Sequence, residues 1–389
     1  MNESNQAAQV ESSRPVPLTV AFLGGGVNSA VGRAHRAAIE LDGCFELVAG
    51  AFSRDTAINR NTAREYGVPA ERTHSDLETM LRAEAGRLDA VVILTPTDCH
   101  IKHVLPCLEA GVPIICEKAL ASSPSESQAI REAVERHNGF LAVTYNYTGY
   151  PILRELRRMI RSGQLGRIEQ IHIEMPQEGF SRRDAAGSPV KPQAWRLRDG
   201  DVPTVSLDLG THVHSIVGFL TGEHPVELIS VCENFGNFKH IVTNVVCTAK
   251  YSGDLLCNIW YGKTALGYRN GLRVRVFGEK GAAEWFQQDS EYLSLADNHG
   301  RKMTLDRASP EIELASEYRY TRFKAGHPSG FIEAFANYYA DVADALRAYL
   351  DGRSIDDSYV LGVDVAHEGL QMLKAMSISA SSRNWVKMG

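Results

Sequence analysis

Several things are scarce in this sequence, and each shortage excludes something. No apolar run approaches the roughly 20 residues of a membrane-spanning helix. Charge of neither sign dominates. A formal charge of −6 over 389 residues argues against a nucleic-acid partner, which would favour a basic face. Cysteines are odd in number, at positions 44, 99, 107, 116, 232, 247 and 257, with no Cys-x-x-Cys pair. They read as reduced, buried thiols in a cytoplasmic protein rather than as a disulfide framework. Residues 1–16 lack an apolar signal core and read as a disordered lead-in. No internal repeat is visible. What remains is an ordinary globular composition, 44% apolar and 23% charged, in a chain long enough for two domains.

The stretch 91–120, VVILTPTDCHIKHVLPCLEAGVPIICEKAL, organises the first half. Residues 91–94 are a short β-branched run that suits a buried strand, and Thr95-Pro96-Thr97 stops it. Residues 101–110 carry an apolar helical face closed by Gly111, and 112–116 form a second apolar run ending in Glu117-Lys118. Strand, helix and strand in this length make a βαβ unit with parallel strands. Ligands bind beyond the carboxyl ends of such strands, where Thr95, Glu117 and Lys118 lie.

The same rhythm starts earlier. Residues 18–23 are a strand, followed by Gly24-Gly25-Gly26 and a helix over 33–41. Strand, glycine turn and helix form the setting of a dinucleotide fingerprint. Gly24 permits the turn, and Gly26 lets the backbone approach a pyrophosphate at the helix N-terminus. The spacing is irregular, because Ser29 stands at the third glycine position and Gly32 follows late. After the strand at 45–52, Ser53 and Arg54 suit the 2′-phosphate of NADP. Asp55 instead supplies the carboxylate that holds the ribose of NAD if the turn is one residue longer. NAD and NADP both stay open. Helices over 56–67, 77–88 and 123–138 and strands over 89–94 and 140–143 complete a Rossmann-like domain at 17–150.

Beyond it, a charged helix at 151–162 precedes β-rich runs at 168–175, 226–234, 242–250, 255–260 and 272–277, with helices over 204–220 and 331–350. Many of these runs alternate, as in a sheet with one wetted face. The expected architecture is therefore α/β, a Rossmann domain followed at 151–389 by an α+β domain with a large, mostly antiparallel sheet. Residues 178–203 show no periodicity, and a structureless loop of this length is usually functional.

Lys118 ends a buried strand and can stabilise an alkoxide during hydride loss; the plain alternative is a surface lysine paired with Glu117. In SLDLGTHVHS, Asp208 and His212 share a helix face, so the carboxylate can orient an imidazole that accepts a proton. Gly210 lets a ring approach the backbone, and His214 points away, so no metal site is expected. Tyr145 and Tyr147 follow another strand end. Trp195 suits a sugar face and Arg196 an anion. His327 is fixed between Gly326 and Pro328. Each of these last residues equally suits domain packing.

These motifs resemble the Gfo/Idh/MocA oxidoreductases, which include glucose-fructose oxidoreductase and inositol dehydrogenase. The family's T-P-x-x-x-H matches Thr95, Pro96 and His100, its E-K-P matches Glu117-Lys118-Ala119, and its D-x-G-x-H matches Asp208, Gly210 and His212. The likeness runs over about residues 17–375 and includes S-G-Q-L-G at 162–166. It departs at Ala119, where proline is usual and whose absence is expected to loosen Lys118, and at Ser215, where an acid is common. The resemblance implies NAD or NADP held by Gly24, Gly26, Ser29 and Ala30, by Ser53 and Arg54, and by Thr95, Pro96, His100, Glu117, Lys118, Trp195 and Arg196. It implies Lys118, Asp208 and His212 as the catalytic group, and a sugar, glycoside or cyclitol bound with Tyr145, Tyr147, Arg183, Trp195 and His327. It also implies a homodimer or homotetramer. Three functions follow: an NAD(P)-dependent dehydrogenase; a redox glycosidase that oxidises, eliminates, hydrates and re-reduces, with Arg182, Arg183, Lys191 and Arg196 receiving an anionic sugar; and a non-catalytic sugar or nucleotide sensor, against which the retained catalytic group argues.

Overall fold

The computed structural model describes residues 15–355 and 358–389, and the side chain of Ala30 also lies outside the described set. The expected lead-in therefore falls mostly beyond the described residues. Two sheets account for the architecture. The first has the order β2-β1-β3-β4-β5, with all neighbours parallel. Its strands are β1 (Leu18–Gly24), β2 (Phe45–Ala51), β3 (Ala90–Leu94), β4 (Ile114–Cys116) and β5 (Leu141–Val143). Helices α1 (Ala30–Leu41), α2 (Thr56–Tyr66), α3 (Leu77–Ala83), α4 (His100–Glu109) and α5 (Pro124–His137) lie between them. β3, β4 and β5 are buried on every residue, because helices cover both faces of a parallel sheet. This is the Rossmann-like arrangement, and it brings the ends of β1, β3, β4 and β5 to one edge.

The second sheet is larger. After α6 (Pro151–Arg161), its nine strands run in the order β13-β12-β11-β10-β6-β9-β8-β7-β14. They are β6 (Ile168–Pro176), β7 (Pro225–Glu233), β8 (Asn244–Tyr251), β9 (Leu256–Gly262), β10 (Arg273–Gly278), β11 (Gly281–Phe286), β12 (Leu293–Asp297), β13 (Lys302–Leu305) and β14 (Val386–Lys387). All pairings are antiparallel except β6 with β9, which is parallel. Helix α7 (Thr211–Thr221) packs against α6 and β6.

The last helices, α8 (Phe331–Leu350) and α9 (Val363–Ser382), tie the two sheets together. α8 supplies Phe335, Tyr338, Tyr339 and Val342 to the core around Phe22 and Leu47. α9 supplies Ala366 and Leu370 to the core around Val91 and Ile114, and Met372 and Met376 to the core of the second sheet. The first core is therefore completed by residues far beyond 150. Sequence periodicity does not disclose α9 or β11 to β14. α9 packs against cores of both sheets and mixes its apolar residues with His367, Gly369 and Ser379 at buried positions, which blurs a one-faced apolar pattern. The helix expected over 77–88 closes at Ala83, with Glu84 turned inward to Arg72 and His74.

Charge also crosses the core. Arg154 is fully buried, and its guanidinium donates to Asp341, to the Tyr320 hydroxyl at 2.7 Å and to the Thr148 carbonyl at 2.8 Å. Asp341→Asn leaves that cation without its counter-charge and is expected to cost about 3–5 kcal/mol of stability, read from urea unfolding monitored by circular dichroism. A loss within experimental error shows that the pair does not hold α6 to α8.

Candidate active site

The glycine turn comes first. Gly24 and Gly25 have φ of +84° and +73°, a left-handed backbone that side chains strain. A Cβ on Gly24 would lie 3.0 Å from the Leu94 backbone, so β1 and β3 leave no room for one. Gly32 takes the packing role of a third glycine, since a Cβ there would fall 2.0 Å from the Gly25 carbonyl oxygen. Ser29, expected to meet the cofactor, instead caps α1 by accepting from the Gly32 N–H. A backbone this tight at a helix N-terminus fits a dinucleotide pyrophosphate.

At the end of β2, Asp55 is occupied. Its Oδ1 accepts from the Ala57 and Ile58 N–H groups at 2.8 and 3.0 Å and caps α2. Arg54 is exposed, with no ion pair among the described residues. Both Ser53 and Arg54 line a cleft of about 790 Å³ beside α2 that also presents Arg60 and Arg64. The end of β2 therefore offers Arg54 as an open cation, while one Asp55 oxygen serves the helix.

The strand ends of β3 and β4 are braced by His100. Its ring nitrogens lie 2.8 Å from the carbonyls of Thr95 and Ala119, and the ring is buried. His100 thus positions the turn rather than facing the cleft, and Pro96 is exposed beside it. Thr95 Oγ1 is 3.0 Å from His103 Nδ1. Ala119 is buried behind a cis Lys118–Ala119 peptide. The His100 contact to the Ala119 carbonyl holds the backbone after Lys118 where proline is absent. Glu117, expected at the cofactor, turns the other way. Its Oε1 accepts from His35 Nε2 at 3.0 Å and from the Thr144 hydroxyl. Burial alone raises its pKa, and these partners bring the carboxyl below the usual value.

Lys118 is not paired with Glu117. It crosses to the second half, donating to the Asp208 carbonyl at 2.8 Å and to Asp208 Oδ1 at 3.2 Å. Asp208 sits in a wide π turn, Ser206–Gly210, that opens α7; such turns recur at functional sites. Its other oxygen meets Lys263 Nζ at 2.6 Å and the Arg196 guanidinium. Burial opposes the Asp208 charge, but Lys118, Lys263 and Arg196 together hold its carboxyl well below the usual range.

Asp208 does not hydrogen-bond His212, contrary to the orienting role expected from an α-helical face, because the wider turn aims it at the cations. His212 is buried, and its Nδ1 has no hydrogen-bond partner. Burial first, and then the Lys118 charge, push its pKa well below the ordinary 6.5. The ring is neutral and able to accept a proton. Tyr147 meets it edge-on at 4.6 Å between centroids and Tyr145 at 6.5 Å. Gly210 admits a ring, but the ring is that of Tyr261, with Leu373 beside it.

Lys263 has no motif around it and was missed. It follows β9, whose parallel neighbour β6 ends beside Gln177, and its Nζ bonds Gln177 Oε1 at 3.0 Å. The strand-end rule that flagged Lys118 applies equally here. The loop 178–203 is not structureless. Phe180 packs with Phe238 and Ile241, and Asp199 accepts from the Thr204 and Val242 N–H groups. These anchors deliver Arg196 to Asp208, with Trp195 stacked on its guanidinium at 4.4 Å. The Trp195 indole N–H donates to Gln193. Arg183 folds onto the Gly187 carbonyl, and exposed His327 bonds Lys324, so neither reaches the cluster. Among the described residues, no group of three His, Cys, Asp or Glu side chains converges on a metal position.

Two family models match this architecture in succession. Residues 18–145 match an oxidoreductase family with an NAD-binding Rossmann fold, and residues 153–284 match the GFO/IDH/MocA C-terminal domain. The chain belongs to the Gfo/Idh/MocA oxidoreductases. Family relatives include the oxidoreductase YfiI of Bacillus subtilis (strain 168), 29% identical and covering 95% of this chain and 97% of its own. Inositol 2-dehydrogenase of Rhizobium meliloti (strain 1021) is 27% identical, covering 89% and 97%. A structure of an inositol dehydrogenase homolog complexed with NADH and myo-inositol, from Azotobacter vinelandii, superposes with a TM-score of 0.86. It is 28% identical and covers 95% and 97% of the two chains. The protein is thus an NAD(P)-dependent oxidoreductase of this family, with a small-molecule substrate. No described helix is long and apolar enough to cross a membrane.

Two outcomes follow for the family's cofactor. Gly32→Val forces α1 off the glycine turn and is expected to weaken NADH binding by at least about tenfold, measured by quenching of intrinsic fluorescence; unchanged binding overturns this placement of the pyrophosphate. Arg54→Ala is expected to weaken NADP⁺ about tenfold while NAD⁺ changes by less than about twofold, in the same titration. Equal losses for the two show that Arg54 does not meet a 2′-phosphate.

Proposed function

We propose that the protein is a dehydrogenase acting on a hydroxyl of a sugar, glycoside or cyclitol. The observation that carries this reading is the meeting of Lys118, Asp208 and His212, drawn from both halves of the chain, at the carboxyl end of β4. NAD(P)⁺, when bound, accepts the hydride from the carbinol carbon. His212 accepts the hydroxyl proton on its neutral imidazole. Lys118 donates to the same hydroxyl oxygen and stabilises the negative charge that develops as the proton departs. Asp208 acts as a positioning residue, holding the Lys118 ammonium from the opposite half. Tyr145 and Tyr147, both buried, wall the imidazole from water. The open face of the second sheet exposes Val231, Val246 and Phe277, which supports a homodimer or homotetramer formed there.

His212→Ala is expected to lower kcat by about 10²–10⁴-fold while NADH affinity is retained. The assay is formation of reduced cofactor at 340 nm across a panel of sugars and cyclitols, and unimpaired turnover overturns the base assignment. The acid limb of kcat/KM has a fixed sign. Activity needs neutral His212, whose folded pKa lies below 6.5, so activity persists below that pH and is lost only on further acidification. A limb centred at or above 6.5 removes His212 from the role.

A further inference from the structure

A line of hydrogen bonds leaves Asp208 and comes back to His212. Lys263 Nζ lies 2.6 Å from Asp208 Oδ2 and donates to Gln177 Oε1 at 3.0 Å. Gln177 Nε2 donates to Asn270 Oδ1 at 3.4 Å, and Asn270 Nδ2 donates to the Tyr147 hydroxyl oxygen at 2.8 Å. Tyr147 then meets the His212 ring edge-on. Gln177 follows β6, Lys263 follows β9, Asn270 precedes β10 and Tyr147 follows β5. The line therefore joins four loops at the site.

The direction of every bond in the line is set at one end. Burial lowers the Lys263 pKa and the Asp208 charge counters it; beside that carboxylate the group is an ammonium. An ammonium only donates. Gln177 must therefore turn its carbonyl oxygen to Lys263, which turns its amide hydrogens to Asn270. Asn270 must in turn give its oxygen to Gln177. Its two amide hydrogens go to Tyr147 and to Gln287 Oε1, the latter at 3.3 Å. Within the protein the Tyr147 oxygen is thus an acceptor, and its own hydrogen is left over. That hydrogen meets no acceptor among the described residues. Both Asp208 oxygens are taken by cations, and Tyr147 is only 7% exposed. A donor so buried is costly unless something accepts from it.

We propose that Asn270 is a positioning residue, which fixes Tyr147 as an obligate hydrogen-bond donor to a second oxygen of the substrate, beside the hydroxyl that His212 deprotonates. This rests on the dehydrogenase reading above. Asn270 touches no reacting atom. It acts by donating to Tyr147, so that the phenol hydrogen is kept for the substrate and is never spent on the protein.

The test reverses the line without breaking it. In Asn270→Asp the side chain keeps its shape but only accepts. Gln177 still donates to it, Gln287 can turn its amide to do the same, and Tyr147 gives it the hydrogen meant for the substrate. Asn270→Leu removes the bonds but leaves that hydrogen free. Full-length protein is assayed by cofactor reduction at 340 nm on myo-inositol, scyllo-inositol, D-glucose and D-xylose, and KM is taken on those that turn over. Asn270→Asp is expected to raise KM at least about tenfold and Asn270→Leu by less than about threefold, with kcat changed less than KM in both. A merely structural role gives the opposite order, because Asp keeps the contacts and Leu loses them. Tyr147→Phe is expected to raise KM as Asn270→Asp does, and the two together to raise it no further. Circular dichroism follows the folding of each variant, and the cycle with the isosteric Asp decides the question without the Leu variant. An Asp variant no worse than Leu, an unchanged KM in Tyr147→Phe, or additive losses in the double variant overturns the role of Asn270 and leaves the dehydrogenase reading standing. No turnover of any of these polyols by the unaltered protein overturns both.

Discussion

One largely buried carboxylate joins the two halves of this molecule. Asp208 is held by Lys118 from the parallel sheet, by Lys263 from the end of β9 and by Arg196 from the long loop. Each contact fixes a different segment of chain at one point. Removing the carboxylate would leave three desolvated cations facing each other, so the ions and the segments that carry them are interdependent. The proposed catalytic arrangement is therefore also an interdomain tie, and its geometry depends on the packing of both cores.

The supporting structure is built to hold strand ends still. His100 bridges the carbonyls after β3 and β4, and His35 and Thr144 hold Glu117. α8 and α9 return from the end of the chain to close the first sheet. Residues that looked like cofactor contacts thus serve one layer behind the cleft. The proposed chemistry requires little movement, because Lys118 and His212 already lie in a walled, largely dry space.

Much of the fold was legible because its signals are local. A parallel strand buried on both faces reads as an unbroken apolar run, and β1, β3 and β4 read that way. α8 was legible over its whole length. The site was legible where a charge directly follows such a run, as at Lys118, or where polar residues cluster, as at Asp208 and His212. It was not legible at Lys263, a single lysine after one strand among many. The roles of Glu117, His100 and Ser29 were also hidden, since a sequence names a polar group without naming its partner.

By itself, the sequence determined the order of elements, the glycine turn, and which chemical groups stand at strand ends. These follow from periodicities and backbone freedoms that act over a few residues. Only the tertiary structure decided which charges meet. Asp208 meets Lys118 from ninety positions away along the chain, and Lys263 and Arg196 join it from elements that adjoin only once two sheets and three cores have formed. Coulomb interactions depend on distance in space and on exclusion of water, and neither is written in the spacing of residues along a chain.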